Sequence, residues 1–463
     1  MEFFEGTCFL IAGPGSGKTF TVTNRVRYLV EQRGIPEKEI LVVTFTRAAA
    51  VEMRQRYLSM IARESTSTIF CTFHSLFFNM LKSAYGRELC VVANEETKRK
   101  LLQDIVSKKK RERPDFLEDC TDGNDEEFYD SVLSEMSVIK NKEIDESNYY
   151  PKCCGEDEFR FLLEEYKKGL RRGGYIDFDD MQLFVLELLE QRKDIRKMYQ
   201  DRFRFILIDE FQDINNLQYR IMKLIGGDEP NIFAVGDDDQ SIYSFRGADP
   251  GITFRFVKDY RGTKTIPLDV NYRSTPSIVG LSSRVIRHNK KRFKKNLRAN
   301  TLEDNPVSYR VFDNEYVEAE SITRDIEELI AKGVEPGQIA VLFRNNNQSF
   351  LYRRRLGEKN IPYSVKSGKT DENVDGVILS TIHASKGLEY EAVFLPQLNE
   401  NYIPYRKARL IRDLDEERRL MYVAMTRAKR YLSLSSDRTI HGKKTAVSLF
   451  IKESGLIRLN NRR

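Results

Sequence analysis

The stretch AGPGSGKTFT, residues 12–21, follows the short apolar run CFLIA at residues 8–12. A buried strand, a glycine-rich turn and a helix beginning near Lys18 would point backbone N–H groups at a bound phosphate. In such a loop we expect Lys18 to reach the terminal phosphates of a nucleotide and the Thr19 hydroxyl to ligate Mg²⁺. The predicted nucleotide-binding residues of this stretch are Ala12, Gly13, Pro14, Gly15, Ser16, Gly17, Lys18, Thr19 and Phe20.

The match to a phosphate loop is imperfect, because Ala12 stands where the usual pattern begins with glycine. The competing interpretation is a glycine-rich turn that holds no ligand. A second motif bears on this choice: FILIDEFQD, residues 205–213, predicts a strand that ends in two adjacent carboxylates. Asp209 is expected to hold Mg²⁺ and Glu210 to orient the attacking water. Together with Lys18, these acids predict an NTP hydrolase.

The composition describes a large globular chain of 463 residues, long enough to bury at least two cores. Apolar residues make up 40% and charged residues 32%, and no apolar run approaches the roughly 20 residues that span a bilayer. We therefore expect a cytoplasmic protein with no membrane partner. Six cysteines without a CxxC pair predict reduced thiols rather than a disulfide framework or a zinc site.

The net charge of +6 is unevenly distributed along the chain. RVIRHNKKRFKKNLR, residues 284–298, contains many cations and no carboxylate, whereas DFLEDCTDGNDEEFYD, residues 115–130, is mostly acidic. A basic run of this kind is either a solvated helix face or a contact for a polyanion. Both interpretations remain open from the sequence.

Short apolar runs alternate with helical stretches in both halves of the chain, which predicts an α/β fold with parallel sheets. The first set of strands is CFLIA, ILVVTF (40–45), FRFILIDE (203–210) and NIFAVGD (231–237). The second set begins at KTIPLD (264–269) and continues through VSYRVF (307–312), IAVLFR (339–344), VILSTI (377–382), AVFLPQL (392–398) and YLSLS (431–435). A polar, helical stretch interrupts the first set. We therefore predict a first domain of residues 1–84 and 183–263, a helical insertion of residues 85–182, and a second domain of residues 264–463.

Four further stretches place aromatic, hydroxyl or basic side chains after predicted strands: VVTFTRAAAVEMRQR (42–56), CTFHSLF (71–77), VGDDDQSIYSFRGAD (235–249) and STIHASKGLEYEAVFLP (380–396). Tryptophan is absent from the chain, so Phe, Tyr and His are the available platforms for base stacking. For any single aromatic residue, a place in the core is the commoner role. The candidate nucleic-acid contacts are Phe45, Phe73, His74, Tyr243, Phe245, Arg246, His383 and Lys386.

The motifs and their order resemble those of the UvrD/Rep-type superfamily 1A DNA helicases. The resemblance extends from about residue 8 to about residue 450, and DEFQD and VGDDDQSIY are its most specific parts. In chain order the motifs are AGPGSGKT, TFTRAAA, TFHSLF, IDFDD, LIDEFQDIN, VGDDDQSIYSFRGA, NYRS, TIHASKGLEY and EERRLMYVAMTRAK.

The resemblance implies two RecA-like P-loop NTPase domains that hold ATP and Mg²⁺ and bind single-stranded DNA. It implies that Glu210 is the catalytic base and that Gln240 senses the terminal phosphate. Arg273 and Arg427 match arginine fingers, which stabilise charge on a transferring phosphoryl group. Two further nucleotide contacts carry over, a carboxylate near the ribose and phosphates and an aromatic ring on which the base stacks: Glu389 and Tyr272.

The chain departs from the family pattern near the nucleotide base. No glutamine that reads adenine stands ahead of the first strand, and Phe20 occupies a position where many relatives have arginine. We expect weak selectivity for adenine, unless the given chain begins late.

A larger departure lies in the second domain, where relatives insert a helical subdomain, called 2B, that contacts duplex DNA. Only a short loop near residues 369–376 stands there. We therefore expect a 3′-to-5′ translocase that is a monomer when free. It would act on single strands or on junctions with duplex, and its unwinding would depend on a protein activator. A nucleotide-dependent DNA clamp that does not unwind by itself remains the main alternative, and RNA is a third possible substrate.

Overall fold

The computed structural model describes residues 3–86, 91–120, 125–366, 376–406 and 411–457. These residues form two compact units. The first comprises Met1–Leu10, Thr19–Gly236 and Tyr243–Ile266, and the second comprises Ile11–Lys18, Asp237–Ile242 and Pro267–Arg463. The phosphate loop and the segment Asp237–Ile242 are therefore grouped with the C-terminal half of the chain.

The first unit is built on a six-stranded sheet with the order β3-β2-β6-β7-β1-β8. The neighbours β2–β3, β2–β6 and β6–β7 pair in parallel, as the apolar runs predict, and β4 pairs with β5 in a separate small sheet. The strands are β1 (Cys8–Ala12), β2 (Ile40–Thr44), β3 (Ile69–Thr72), β4 (Val91–Val92), β5 (Tyr175–Ile176), β6 (Phe205–Ile208), β7 (Ile232–Gly236) and β8 (Lys264–Leu268).

One strand assignment from the sequence is wrong. KTIPLD was expected to begin the second set of strands, but β8 lies at the edge of the first sheet beside β1. A short run of mixed polarity at a sheet edge carries no signal of which sheet it joins, because an edge strand is only half covered.

Ten helices accompany these strands within the described residues. They are α1 (Lys18–Arg27), α2 (Arg47–Ile61), α3 (Phe73–Tyr85), α4 (Glu95–Glu112), α5 (Asp125–Lys142), α6 (Glu156–Arg172), α7 (Phe178–Gln191), α8 (Lys193–Arg202), α9 (Asn216–Gly226) and α10 (Gly251–Asp259). Helices α4, α5 and α6 share a core of their own, in which Leu102, Val132 and Leu162 are fully buried. This core agrees with a helical insertion, whose boundaries stay a prediction.

Polar residues inside the sequence motifs begin four of these helices. Each side chain accepts a hydrogen bond from a backbone N–H in the first helical turn, which satisfies a donor that the helix leaves open. Part of what makes the motifs distinctive is therefore helix capping rather than chemistry. The capping residues are Thr46 for α2, Thr72 for α3, Asp177 for α7 and Asn215 for α9.

The second unit contains a seven-stranded sheet with the order β11-β16-β15-β12-β14-β13, and β17 pairs with β16. All pairs are parallel except β16–β17. The two strands β9 (Val270–Asn271) and β10 (Arg298–Ala299) form a separate parallel pair. The strands of the large sheet are β11 (Ser308–Asn314), β12 (Ile339–Phe343), β13 (Tyr363–Lys366), β14 (Val377–Thr381), β15 (Tyr390–Leu395), β16 (Ala428–Ile440) and β17 (Lys443–Lys444).

Both faces of the large sheet are covered. Successive residues of β15 enter different cores: Val393 belongs to one, and Ala392 and Phe394 belong to the other. Burial on both sides explains why its central strands read as continuous apolar runs. The helices of this unit are α11 (Pro276–Ile286), α12 (Glu315–Ala331), α13 (Ser349–Glu358), α14 (Ile411–Met425) and α15 (Leu449–Ser454). The predicted α/β class with parallel sheets is confirmed.

Candidate nucleotide and nucleic-acid sites

The glycine-rich loop between β1 and α1 has the backbone of a phosphate cradle. Gly15 and Gly17 have φ values of +64° and +81°, a region that side chains with Cβ disfavour. The Ser16 hydroxyl donates to the Gly13 carbonyl at 2.7 Å and tightens the turn. Lys18 is the first residue of α1. In the described part of the chain its Nζ is buried without a hydrogen-bond partner, so the loop holds a cation that an anionic ligand would satisfy.

Asn271 fastens this loop to the NYRS motif. Its Nδ2 donates to the Pro14 carbonyl at 2.9 Å, while its Oδ1 accepts from the backbone of Arg273 and Ser274, both at 2.8 Å. A Cβ on Gly15 would lie 2.6 Å from the Cβ of Arg273, so only glycine permits this approach. Asn271 was not among the predicted site residues, since a polar residue before an aromatic one carries no specific signal in the sequence.

Arg273 is held by a carboxylate close to the loop. Its Nε donates to Glu389 Oε2 at 2.6 Å and its Nη1 to the Thr426 carbonyl at 3.2 Å. Lys429 Nζ lies 3.3 Å from the other Glu389 oxygen. Although burial opposes ionisation, the cations of Arg273 and Lys429 lower the pKa of Glu389. Glu389, which the resemblance placed near ribose and phosphates, thus anchors the candidate finger.

Arg427 and Gln240 meet in the interior of the second unit. Arg427, only 2% exposed, donates from Nη2 to Gln240 Oε1 at 3.2 Å. Its other donors reach the carbonyls of Val423 and Leu388, both at 3.0 Å. Lys386 Nζ donates to the Gln240 carbonyl at 2.7 Å. Three residues predicted from three separate motifs are therefore brought together, and Lys386 supports Gln240 directly.

A buried ion cluster holds the segment that carries Gln240. Gln240 Nε2 donates to Asp237 Oδ2 at 2.7 Å, and Lys295 Nζ pairs with Asp237 and lies 2.7 Å from both Asp238 Oδ1 and Asp239 Oδ2. The three carboxylates are close enough to one another to hold a metal ion, but the Lys295 ammonium already contacts all three. Arg292 adds a second cation, 2.6 Å from Asp239.

Charge pairing decides which groups in this cluster ionise. Burial opposes the charge of Asp237, but the ammonium groups of Lys295 and Lys18 lower its pKa. Burial likewise opposes the charge of Lys295, and the three aspartates raise its pKa well above the ordinary value. Lys295 could not be singled out from the sequence, because it lies in the basic run 284–298. That run is now divided between these internal cations and exposed ones: Arg287, Lys290, Lys294 and Arg298.

The acidic turn after β6 belongs to the first unit. Asp209 is 4% exposed, and Glu210 has the left-handed backbone φ of +52°, which is strained for a residue with a side chain. Gln212 donates to the Glu210 carboxylate. A Cβ on Gly236 would lie 2.8 Å from Gln212 Oε1, so glycine is needed there for this amide to fit. The turn therefore presents Glu210 in a conformation that its neighbours enforce.

Three of the predicted DNA contacts form a row of aromatic rings in the first unit. Phe45 and Tyr243 stack with centroids 5.3 Å apart and planes 8° apart. Phe245 meets Tyr243 at 6.1 Å in an edge arrangement and is 43% exposed. We refer to these three residues as the aromatic row. The Arg246 side chain lies outside the described residues.

The two candidates at the start of α3 occupy different environments from the aromatic row. Phe73 is 2% exposed and packs 5.9 Å from Phe77, so it belongs to the core and offers no open ring face. His74 lies edge-on to Phe178 at 4.7 Å. Burial, aided by Lys98, lowers the pKa of His74 to about 4. At neutral pH this imidazole is therefore uncharged.

The remaining candidates lie at or near the surface. Tyr272 and Phe20 are 66% and 54% exposed, and the Tyr272 backbone N–H donates to the Gly15 carbonyl at 2.9 Å. Tyr272 thus stands directly beside the phosphate loop. His383 is half-buried after β14 and Thr19 is half-buried in the first turn of α1. The predicted short loop near residues 369–376 lies, apart from Gly376, outside the described residues.

Comparison with known proteins finds two family descriptions along the chain. The UvrD/REP helicase N-terminal domain matches residues 1–261, and the UvrD-like helicase C-terminal domain matches residues 266–371 and 366–439. Within the described residues, no helix is both long and apolar enough to cross a membrane.

Individual relatives match most of this chain but only about half of their own length. YjcD of Bacillus subtilis (strain 168) is 36% identical over 372 residues, which cover 79% of this chain and 47% of YjcD. ATP-dependent DNA helicase Rep of Escherichia coli (strain K12) is 32% identical, with coverage of 80% and 54%. ATP-dependent DNA helicase PcrA of Staphylococcus epidermidis is 29% identical, with coverage of 79% and 49%.

Proposed function

The chain belongs to the UvrD/Rep helicase family, and on that premise we propose that it is an ATP-dependent translocase on single-stranded DNA that moves 3′ to 5′. The observation that carries the proposal is the ammonium of Lys18 in the glycine loop, which in the described part of the chain is buried without a hydrogen-bond partner. Arg273 is fastened to that loop through Asn271. A buried ammonium that makes no hydrogen bond costs free energy unless a ligand such as a triphosphate supplies the acceptor.

The residues around this loop divide the chemistry of ATP hydrolysis among them. Lys18 binds the terminal phosphates, and Tyr272 offers its exposed ring to the base. Arg273 and Arg427 stabilise charge that develops on the transferring phosphoryl group. Gln240 senses the terminal phosphate in this proposal. Its amide accepts a hydrogen bond from Arg427 and donates one to Asp237, so it lies between a candidate finger and the buried ion cluster.

Metal binding and water activation fall to the first unit in this proposal. A carboxylate and a hydroxyl are oxygen ligands of the kind that Mg²⁺ prefers, so Asp209 and Thr19 would hold it. The ion would neutralise phosphate charge. Glu210 accepts a proton from the attacking water, and the bond from Gln212 to its carboxylate orients it for that task.

The aromatic row is the proposed grip on DNA. Its rings offer stacking faces of the kind that bind unpaired bases without regard to sequence, about 1–3 kcal/mol per base. Phe73 is left out of this proposed grip because it is buried. His74, neutral because of its lowered pKa, would contribute a hydrogen bond rather than a charge. Exposed cations from the basic run would contact phosphates and make binding depend on salt.

We also propose that strand separation by this chain depends on a protein activator. Strand β13 ends at Lys366 and β14 begins at Val377, and residues 367–376 are too few for a helical subdomain of the kind found in relatives. The free protein would then be a monomer that translocates without efficient unwinding. A nucleotide-dependent clamp remains the alternative from a different class.

Two assays at equal ATPase rate test these proposals. ATP hydrolysis is measured with and without oligo(dT), and displacement of a streptavidin block from a labelled 5′ or 3′ end reports directed movement. We expect DNA-stimulated hydrolysis and displacement from the 5′ end, with little separation of a tailed duplex by the monomer. Stimulation without end displacement would support the clamp, and hydrolysis that ignores DNA would refute the motor.

A further inference from the structure

A buried cluster of three side-chain amides joins the helical insertion to the rest of the first unit. Asn141 lies near the end of α5, Gln182 within α7 and Asn215 at the cap of α9, and they are 2%, 1% and 4% exposed. Asn215 Nδ2 donates to Asn141 Oδ1 and to Gln182 Oε1, both at 2.8 Å. Gln182 Nε2 donates to Asn141 Oδ1 at 3.3 Å. We refer to these residues as the amide triad.

Asn215 connects the triad with two functional segments of the first unit. It closes the acidic segment that follows β6 and begins α9 with a reciprocal cap, in which Asn215 and Gln218 bond to each other's backbone. It also forms an isolated antiparallel bridge with Ala248, and the Asp249 N–H donates to the Ile214 carbonyl at 3.3 Å. The chain that leaves the aromatic loop 243–247 is therefore paired with the chain that leaves the acidic turn.

Helix α5 supports the aromatic loop from beneath. The Ser134 hydroxyl donates to the Phe245 carbonyl at 2.9 Å. Gly247 has a φ of +88°, and a Cβ there would lie 2.5 Å from the Cβ of Asn141, so the loop approaches α5 as closely as a glycine allows. Ser134 and Asn141 are seven residues apart on one helical face. The loop that carries Tyr243 and Phe245 thus rests on two points of the insertion.

Helix α5 makes a second polar contact, through Lys140, whose role is purely structural. Lys140 pairs with Asp177 and Asp180, both at 2.7 Å, and fastens α5 to the start of α7. The partners of Lys140 in that ion pair lie in α7 and at its cap, outside the aromatic loop. Asn141 differs because the same side chain contacts Asn215 and the backbone of Gly247. The contact between Asn141 and Gly247 is not needed to hold the insertion in place.

We infer that Asn141 is a positioning residue for DNA binding, which fixes loop 243–247 on helix α5 through Asn215 and Gly247. The helical insertion then sets the geometry of the aromatic row without itself contacting the stacked bases. This inference rests on the proposed function, since it assumes that the aromatic row binds DNA. It assigns no role in hydrolysis to Asn141.

The test uses Asn141→Ala and Ser134→Ala in the full chain, with Asn148→Ala, an exposed amide of the same insertion, as the matched control. For Asn141→Ala we expect the oligo(dT) concentration that gives half-maximal ATPase stimulation to rise about tenfold. DNA-free kcat and the KM for ATP should stay within about twofold of the parent. Ser134→Ala, which removes one hydroxyl and leaves no large cavity, should give a rise of about threefold.

A double variant separates positioning from general loosening. Because both side chains act on the same loop, Asn141→Ala with Ser134→Ala should raise half-saturation by less than the product of the two single effects. Multiplied effects would indicate independent losses and contradict the inference, as would Asn141→Ala behaving like the control. If Asn141→Ala fails to fold, Ser134→Ala alone decides, and an unchanged half-saturation overturns the inference. A parent protein without DNA stimulation would instead refute the proposed function.

Discussion

Two neighbouring segments of one sequence motif are held by opposite kinds of chemistry. Residues 237–240, which lead to Gln240, are fixed by a buried lysine among three aspartates. Residues 243–247, which carry Tyr243 and Phe245 of the aromatic row, are fixed by a serine hydroxyl and uncharged amides. The first segment has the ammonium of Lys18 in its electrostatic surroundings, and the second offers ring faces. Charged groups hold the segment where phosphate is expected, and uncharged groups contact the loop where bases are expected.

The difference predicts how each segment fails. A buried ion pair that loses one partner leaves an uncompensated charge, which costs several kcal/mol. A neutral hydrogen bond that is lost costs roughly 1 kcal/mol and mainly loosens the loop. Changes near residues 237–240 should therefore damage hydrolysis or stability, and changes near residues 243–247 should mainly weaken DNA binding. The following variants test that division.

The largest effect is expected at Lys18 and Glu210. Lys18→Ala removes the cation from the phosphates and Glu210→Gln keeps the shape of the side chain but removes the base, so each should lower kcat about a thousandfold or more. Glu210→Gln should still bind nucleotide, measured with a fluorescent ATP analogue. Lys38→Ala, an exposed lysine, is the control and should be silent. Near-normal turnover in Glu210→Gln would refute the site assignment.

Arg273→Ala and Arg427→Ala should each lower kcat by about a hundredfold or more, with a smaller change in KM, because fixed cations matter most as charge develops. Steady-state kinetics check the split between the two constants. Arg430→Ala, close in sequence but exposed, should leave both constants unchanged. A rise in KM with kcat intact would assign these arginines to binding alone.

Lys295→Met should destabilise the protein by about 3–5 kcal/mol, because three buried carboxylates lose their shared cation. Thermal or urea unfolding measures the change. Lys294→Met, the exposed neighbour, should lie within about 0.5 kcal/mol of the parent. If the two variants proved equally stable, the buried cluster would not hold residues 237–240 as described.

A buried pair of carboxylates in the second unit sharpens the comparison, because this pair includes no lysine. Glu318 and Asp437 are almost fully buried, and burial together with the Glu318 carboxylate raises the pKa of Asp437 to about 9. The unfolded chain has a pKa near 3.9 for aspartate, so between about pH 4 and 9 the folded state holds a proton that the unfolded state releases. Stability should therefore fall as pH rises through this window, by at most about 1.4 kcal/mol per pH unit.

Asp437→Asn tests this pH dependence, because the amide is neutral at every pH. Melting curves at pH 6 and pH 8.5 should show a smaller decrease for the variant than for the parent. Asp313→Asn, at an exposed aspartate, should leave the parent decrease unchanged. A variant that kept the full decrease would locate the titration elsewhere.

The smallest effect is expected in base selectivity. Stacking on Tyr272 accepts any base with a π-face, so ATP and GTP should differ by less than about a hundredfold in kcat/KM. Tyr272→Ala should raise KM for both nucleotides by a similar factor, about tenfold. A preference for ATP of a hundredfold or more would show that another group reads adenine.

Local patterns in the chain were sufficient for most of the central strands and for the strand–turn–helix form of the glycine-rich loop. A run such as CFLIA followed by glycines and Gly17-Lys18-Thr19 admits few conformations, because strand, turn and helix preferences act within a few residues. Gln240, Arg273 and Arg427 were likewise predicted from their motifs. Within the second unit, Arg427 contacts Gln240, and Arg273 lies beside the glycine-rich loop. Phe73 was predicted to contact DNA, but its side chain is buried. Burial of this kind is not visible in a short motif.

Only the folded chain decided which distant side chains meet. Lys295 stands 56 residues beyond Asp239, and Asn215 stands 74 beyond Asn141. The sequence around either residue does not indicate which partner it will contact. A lysine or asparagine side chain is satisfied by water and requires a protein partner only when burial removes that water. Motifs therefore predicted the chemistry, and packing determined which neutral or charged groups hold the predicted residues in position.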